Sequence, residues 1–125
     1  MHPEKFRQVA GLPPAERHAY FVRKAADTQE VWGLHQEGWA TAHANGKVAI
    51  PFWPEAAFAQ ACASGDWAHC QPRAIALDDF LNKWLPGMAG NDQLASVFPV
   101  PQGSASIAAP YDLLADLQQE AEQYE

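Results

Sequence analysis

The spacing of hydrophobic and polar positions changes several times along the chain, and each change marks an element. From Ala15 to Thr28, the positions Arg17, Tyr20, Phe21 and Ala25 fall near i, i+3, i+4 and i+8, flanked by Glu16, Arg23 and Lys24. That spacing predicts an amphipathic helix lying on a core. Pro14 suits its first turn, where a missing N–H costs nothing. Residues 1–13, ending at Gly11-Leu-Pro-Pro14, read as a weakly helical, loosely attached lead-in.

Three candidate strands follow: Val31–Gln36, Trp39–Ala44 and Lys47–Phe52. Asn45-Gly46 is a strong hairpin signal, because both central residues of that turn need positive φ. It sets Ala44 opposite Lys47, His43 opposite Val48, Thr41 opposite Ile50 and Trp39 opposite Phe52. Glu37-Gly38 is expected to turn the first hairpin likewise, with Gln36 opposite Trp39, Leu34 opposite Thr41 and Trp32 opposite His43. Alternation across a sheet then gives a bulky core face (Trp32, Leu34, Trp39, Thr41, His43, Val48, Ile50, Phe52). The other face is mostly small (Val31, Gly33, His35, Ala40, Ala42, Lys47, Ala49, Pro51), and so either solvated or closely covered by a helix. A slip of one residue in either turn would exchange the faces.

Pro54 opens a helix through Ala63, with Phe58 and Cys62 one turn apart, and Ser64-Gly65 ends it. Residues Asp66–Arg73 read as a connector and Ala74–Leu77 as a short strand. Asp78 is a good N-cap for a helix with Phe80, Leu81, Trp84 and Leu85 on one stripe, stopped by Pro86-Gly87. Leu94–Val100 has strand length, and Gly103–Ala108 is its hairpin partner through Pro101-Gln102. Pro110 opens a last helix, where Leu114, Leu117, Ala121 and Tyr124 recur at helical spacing above an acidic outer face. The order α, βββ, α, β, α, ββ, α predicts a single α+β domain over 1–125, with five to six strands in one largely antiparallel sheet and three to four helices.

Composition agrees with a packed domain. Of 125 residues, 48% are hydrophobic and 11% aromatic, including five tryptophans, and a chain this long buries roughly 70% of its unfolded surface. The formal charge of −7 speaks against nucleic-acid binding, which needs a basic surface, and against docking on an anionic membrane. The start lacks the apolar run of a signal peptide, and no window has the ~18 consecutive apolar residues of a membrane span. Two cysteines make no disulfide framework. A cytoplasmic protein with reduced thiols is expected.

Chemistry-bearing motifs are sparse. His35 and His43 lie on adjacent candidate strands but face opposite ways, and Cys62 and Cys70 have no C-x-x-C partner, so no four-ligand metal site is expected. Gly103-Ser-Ala-Ser106 lacks the second glycine of a nucleophile elbow, and phosphate-binding loops are absent. Neither Asp78-Asp79 nor Asp112/Asp116 has the apolar pocket that raises a general acid's pKa. No catalytic residue and no cofactor is expected. Trp53, Trp67 and Trp84 sit at element ends, where an indole N–H stays within reach of a partner, and aromatics of this kind are enriched at binding hot spots.

One ordered series of motifs resembles a known family. Glu16-Arg17-x-x-Tyr20-Phe21-x-Arg23-Lys24-x-Ala26-Asp27, Val31-Trp-Gly-Leu34, Glu37-Gly-Trp-Ala40, Pro51-Phe-Trp-Pro54, Gly65-Asp-Trp67, Ile75-x-Leu77-Asp-Asp-Phe-Leu81 with Trp84-Leu-Pro86, and Val97-Phe-Pro99 are together similar to the bacterial domain-of-unknown-function family 2750. The resemblance spans residues 15–120. It implies a bacterial, single-domain, cytoplasmic protein and supplies no activity.

The function expected from all this is a non-enzymatic protein-interaction or regulatory module, one version being an immunity-like protein that masks another protein. Its contact surface would be around Trp53, Trp67 and Trp84. The alternative is a small ligand-binder or enzyme with a pocket near His43, Cys62 or Cys70. A third reading, a structural subunit, implies a homo-oligomer.

Overall fold

The computed structural model describes residues 1–123; Tyr124, placed by the sequence on the stripe of the last helix, lies outside them. The lead-in forms helix α1 (Pro3–Ala10), and Phe6 holds it to the body by stacking on Phe58 at 4.9 Å. Helix α2 (Pro14–Thr28) starts at Pro14 and buries Phe21, Val22, Ala25 and Ala26. Arg17 shares that inward stripe and is itself buried. Its guanidinium donates to the carbonyls of Leu12, Phe98 and Ser104, so one cation ties three separate turns together. Hydrogen bonds to charged groups are the stronger ones, and carbonyls satisfy all three nitrogens without a carboxylate. Burial pulls the Arg17 pKa down from its ordinary value.

Strand β1 (Glu30–His35) meets the chain that directly follows it only at a short bridge at its end. It pairs antiparallel with β4 (Gln71–Ala76) over six residues, Glu30 opposite Ala76 through His35 opposite Gln71. The expected two-residue turn at Glu37-Gly38 is instead a three-residue loop. Glu37 takes φ 59° and His35 bridges Trp39. This is the one-residue slip that exchanges faces: the Gln36–Trp39, Leu34–Thr41 and Trp32–His43 pairs do not form. Trp32 exchanges backbone hydrogen bonds with Trp53 instead, at 2.9 and 2.8 Å.

The second hairpin matches its expected register. β2 (Ala42–Ala44) and β3 (Lys47–Phe52) pair Ala42 with Ala49, His43 with Val48 and Ala44 with Lys47. Asn45 and Gly46 carry the positive φ values, 54° and 77°, that such a turn requires. Beyond it, β3 pairs parallel with β5 (Leu94–Val97), and β5 pairs antiparallel with β6 (Ser106–Ala108). The result is an α+β domain with a four-stranded sheet, order β2-β3-β5-β6, and a two-stranded one, β1-β4, joined at Trp32 and Trp53. Because β3 is central, Ala49, Ile50, Pro51 and Phe52 are all buried, so both its faces are core. Thr41 and His43, expected in the core, are exposed.

Helix α3 spans Ala56–Ala61, shorter than Pro54 to Ala63, and a 3-10 turn, Gly65–Trp67, follows. Asp78 is not the N-cap expected: α4 (Leu77–Asp79) begins after Ala76, and Asp78 and Asp79 fill its first turn. Nor does Pro86-Gly87 stop the helix. A π turn, Phe80–Trp84, leads into α5 (Leu85–Gly90), and the Leu85 N–H reaches back to the Phe80 carbonyl. The wider turn opens the ladder where Pro86 has no N–H to give. The last helix, α6 (Pro110–Glu122), buries Leu113 and Leu117 and leaves Leu114 half-buried. Among the described residues, no helix is long and apolar enough to cross a membrane.

Candidate binding cleft

Both walls of the candidate site are built around tryptophans whose positions are set by what lies behind them. Trp39 follows the three-residue loop and lays its ring on β1. A Cβ on Gly33 would sit 2.8 Å from that ring, so the close approach requires glycine. His35 meets the Trp39 ring edge-on at 4.9 Å and Trp84 at 4.8 Å, and the Arg73 guanidinium lies 5.7 Å from the ring centroid. Edge-to-face pairs at such distances are favourable beyond their buried area. Trp67, in the 3-10 turn, stands edge-on to Trp53 at 6.1 Å and donates its Nε1–H to the Thr41 carbonyl at 3.1 Å.

Between these walls opens a cleft of about 820 Å³. Trp39, Thr41, His43, Asp66, Trp67 and Cys70 line it. The volume falls in the range of ligand sites. Of the three expected contact residues, only Trp67 lines it. Trp53 is fully buried, with its Nε1–H donated to the Pro99 carbonyl at 2.9 Å, and acts as a buttress behind Trp67. Trp84 is half-buried and buttresses Trp39. Trp39 was missed as a site residue because the expected register assigned it to the core.

His43 and Cys70, expected near a pocket, do line the cleft, but Cys62 does not. Cys62 is buried, and its thiol donates to the Pro99 carbonyl at 3.4 Å. Burial pushes that thiol's pKa up, against the opposing pull of the Trp53 indole N–H and the Arg17 charge. His35 and His43 are separated because β1 and β2 do not pair, rather than by facing opposite sides of one sheet. Among the described residues, no three His, Cys, Asp or Glu side chains gather as a metal-ligand group.

A second constellation lies across the molecule. His18 Nδ1 is 2.9 Å from Ser106 Oγ, and His18 Nε2 is 3.0 Å from Asp116 Oδ2. With the ring proton on Nε2 facing the carboxylate, Nδ1 accepts from the hydroxyl. The three are 88 and 98 residues apart in sequence, so no local motif could have revealed them. His18 and Asp116 border a hollow of about 330 Å³ that Ser106 does not line. These contacts join α2 to β6 and α6.

The fold and site thus define an α+β domain with an open, aromatic-walled surface cleft. The chain belongs to the family of unknown function DUF2750, whose family model matches residues 18–117. No curated protein and no solved structure matches it.

Proposed function

We propose that this protein is a non-enzymatic protein-interaction or regulatory module that works in a reducing compartment, the cytoplasm, and that the cleft between Trp39 and Trp67 receives its partner. The observation that carries this reading is the pairing of half-buried aromatic walls with polar side chains: Thr41, His43 and Asp66 are exposed beside the Trp39 and Trp67 indoles. Interfaces concentrate their energy in such aromatic anchors with a polar rim. Two free cysteines suit a compartment that keeps thiols reduced. An immunity-like masking role is one form that such a module takes.

The test is affinity capture from the native host's extract with wild type, Trp67→Ala and Thr41→Lys. Thr41 is exposed, so the lysine blocks the cleft without disturbing the core, and circular dichroism checks that both variants are folded. A protein retained by wild type and lost with both variants supports the reading. Equal recovery by all three removes its support.

A second reading, a small-ligand site, draws on His43 and Cys70 lining the same cleft. It expects Cys70 to be shielded from a thiol reagent by a small molecule in the host's metabolite extract. Unchanged labelling counts against it.

A further inference from the structure

The free edge of β2 forms one side of the cleft. Across a two-residue hairpin turn the flanking residues, here Ala44 and Lys47, form a hydrogen-bonded pair, and pairs then alternate along the ladder. Ala42 with Ala49 is therefore bonded, and His43 with Val48 is not. The His43 N–H and C=O consequently point away from β3, and Thr41, one residue before the strand, is positioned to extend that outward edge. β2 is the outer strand of its sheet, and the Thr41 carbonyl is taken by the Trp67 indole. The Thr41 N–H and both His43 backbone groups have no backbone partner outside the ladder among the described residues.

Other edges are blunted. β4 carries Pro72 and Arg73, and β6 has Ser106 tied to His18 and runs on to Pro110. Proline and charge are the usual guards against strand pairing, and neither stands in β2. Instead, its edge lines the cleft, with the Trp67 indole bonded to one end of it. The same cleft is lined by Asp66, a carboxylate in no salt bridge among the described residues, on a chain of net charge −7.

We propose that an extended segment of a partner protein, bearing a lysine or arginine, adds as a strand to β2, pairing with both His43 backbone groups and the Thr41 N–H and placing its basic side chain at Asp66. This rests on the interaction reading above. Main-chain pairing supplies the general affinity of strand addition, and side-chain pockets supply selectivity. The Trp39 and Trp67 walls accept the apolar side chains that alternate with the basic one.

The experiment uses the whole protein and a capped, alternating valine–lysine hexapeptide at millimolar concentration. Two controls accompany it: the same peptide with glutamate for lysine, and one with every backbone amide N-methylated. Amide hydrogen exchange is read by nuclear magnetic resonance. The lysine peptide is expected to slow exchange at Thr41 and His43 by about tenfold, which corresponds to peptide at about nine times its dissociation constant. N-methylation should abolish that protection. The glutamate peptide should give less, and Asp66→Asn should weaken binding of the lysine peptide by up to about fivefold, the range of an exposed ion pair. No protection at Thr41 and His43, or equal protection by the N-methylated peptide, overturns strand addition. Equal protection by lysine and glutamate peptides overturns the basic occupant. If host-partner capture is still lost with Thr41→Lys and Trp67→Ala while these amides stay unprotected, the interaction reading survives and strand addition alone falls.

Discussion

Gly33 and Trp39 show how one residue positions a site it does not line. The Trp39 ring occupies the space where a Gly33 Cβ would be, at 2.8 and 2.9 Å from two of its carbons. A methyl group there must push the indole away from β1 and disturb its edge contacts with His35 and Trp84. Gly33→Ala is expected to cost about 1–3 kcal/mol, the range for overpacking a filled core. Urea unfolding measures that loss, and a changed near-ultraviolet circular dichroism spectrum would report the displaced indole. A variant as stable as wild type, with an unchanged spectrum, would show that the ring finds another seat at no cost. At the same scale Phe98, fully buried, takes φ 54°, an uncommon conformation for a bulky residue. Its N–H bonds the Phe52 carbonyl at 2.8 Å and its carbonyl accepts from Arg17 at 3.1 Å, which holds the chain at that turn.

Among the elements, the β2–β3 hairpin is where local chemistry and tertiary structure agree. Gly46 is exposed, and a Cβ added there meets nothing within 4 Å, so the cost of a side chain comes from the backbone alone. At φ 77°, Gly46→Ala should lose about 1–2 kcal/mol, read as a lower urea midpoint. A midpoint equal to that of wild type would mean that the hairpin turn relaxes to another type. This hairpin was legible because its turn chemistry is contained in two adjacent residues. The Glu37-Gly38 loop was not. One extra residue fits there once Glu37 accepts positive φ, and nothing in the local sequence distinguishes two from three. The π turn ahead of Pro86 was illegible for a related reason: a proline usually marks a helix end, and only the packing of Phe80 and Leu85, both buried, carries the helix through it.

For the whole molecule, three groups respond together to alkaline pH. Burial raises the Cys62 thiol. Burial, and then the neighbouring Glu55, raises the Tyr20 hydroxyl. The hydrogen bond and charge of Glu55, 3.3 Å from Nζ, raise Lys24. In each case the folded pKa lies above the unfolded one, so the unfolded chain releases protons first and stability falls as pH rises. The contribution is fully present below the unfolded values and is lost above about pH 9 for Cys62, then above about 10 for Tyr20 and Lys24. Urea midpoints should therefore hold steady from about pH 7 to 8 and decline above 9. A midpoint rising over that alkaline range would contradict the assignment. The sequence by itself determined the elements whose signals are local: the turn at Asn45-Gly46, the inward stripe of α2 and the proline-started α6. Only tertiary structure decided that β1 pairs with β4, that β3 and β5 run parallel, and that Trp39 and Trp67 face the cleft while Trp84 and Trp53 stand behind them. The physical reason is that distant strands choose partners by the sum of packing over the whole core, whereas a turn is settled by the φ values its own residues can adopt.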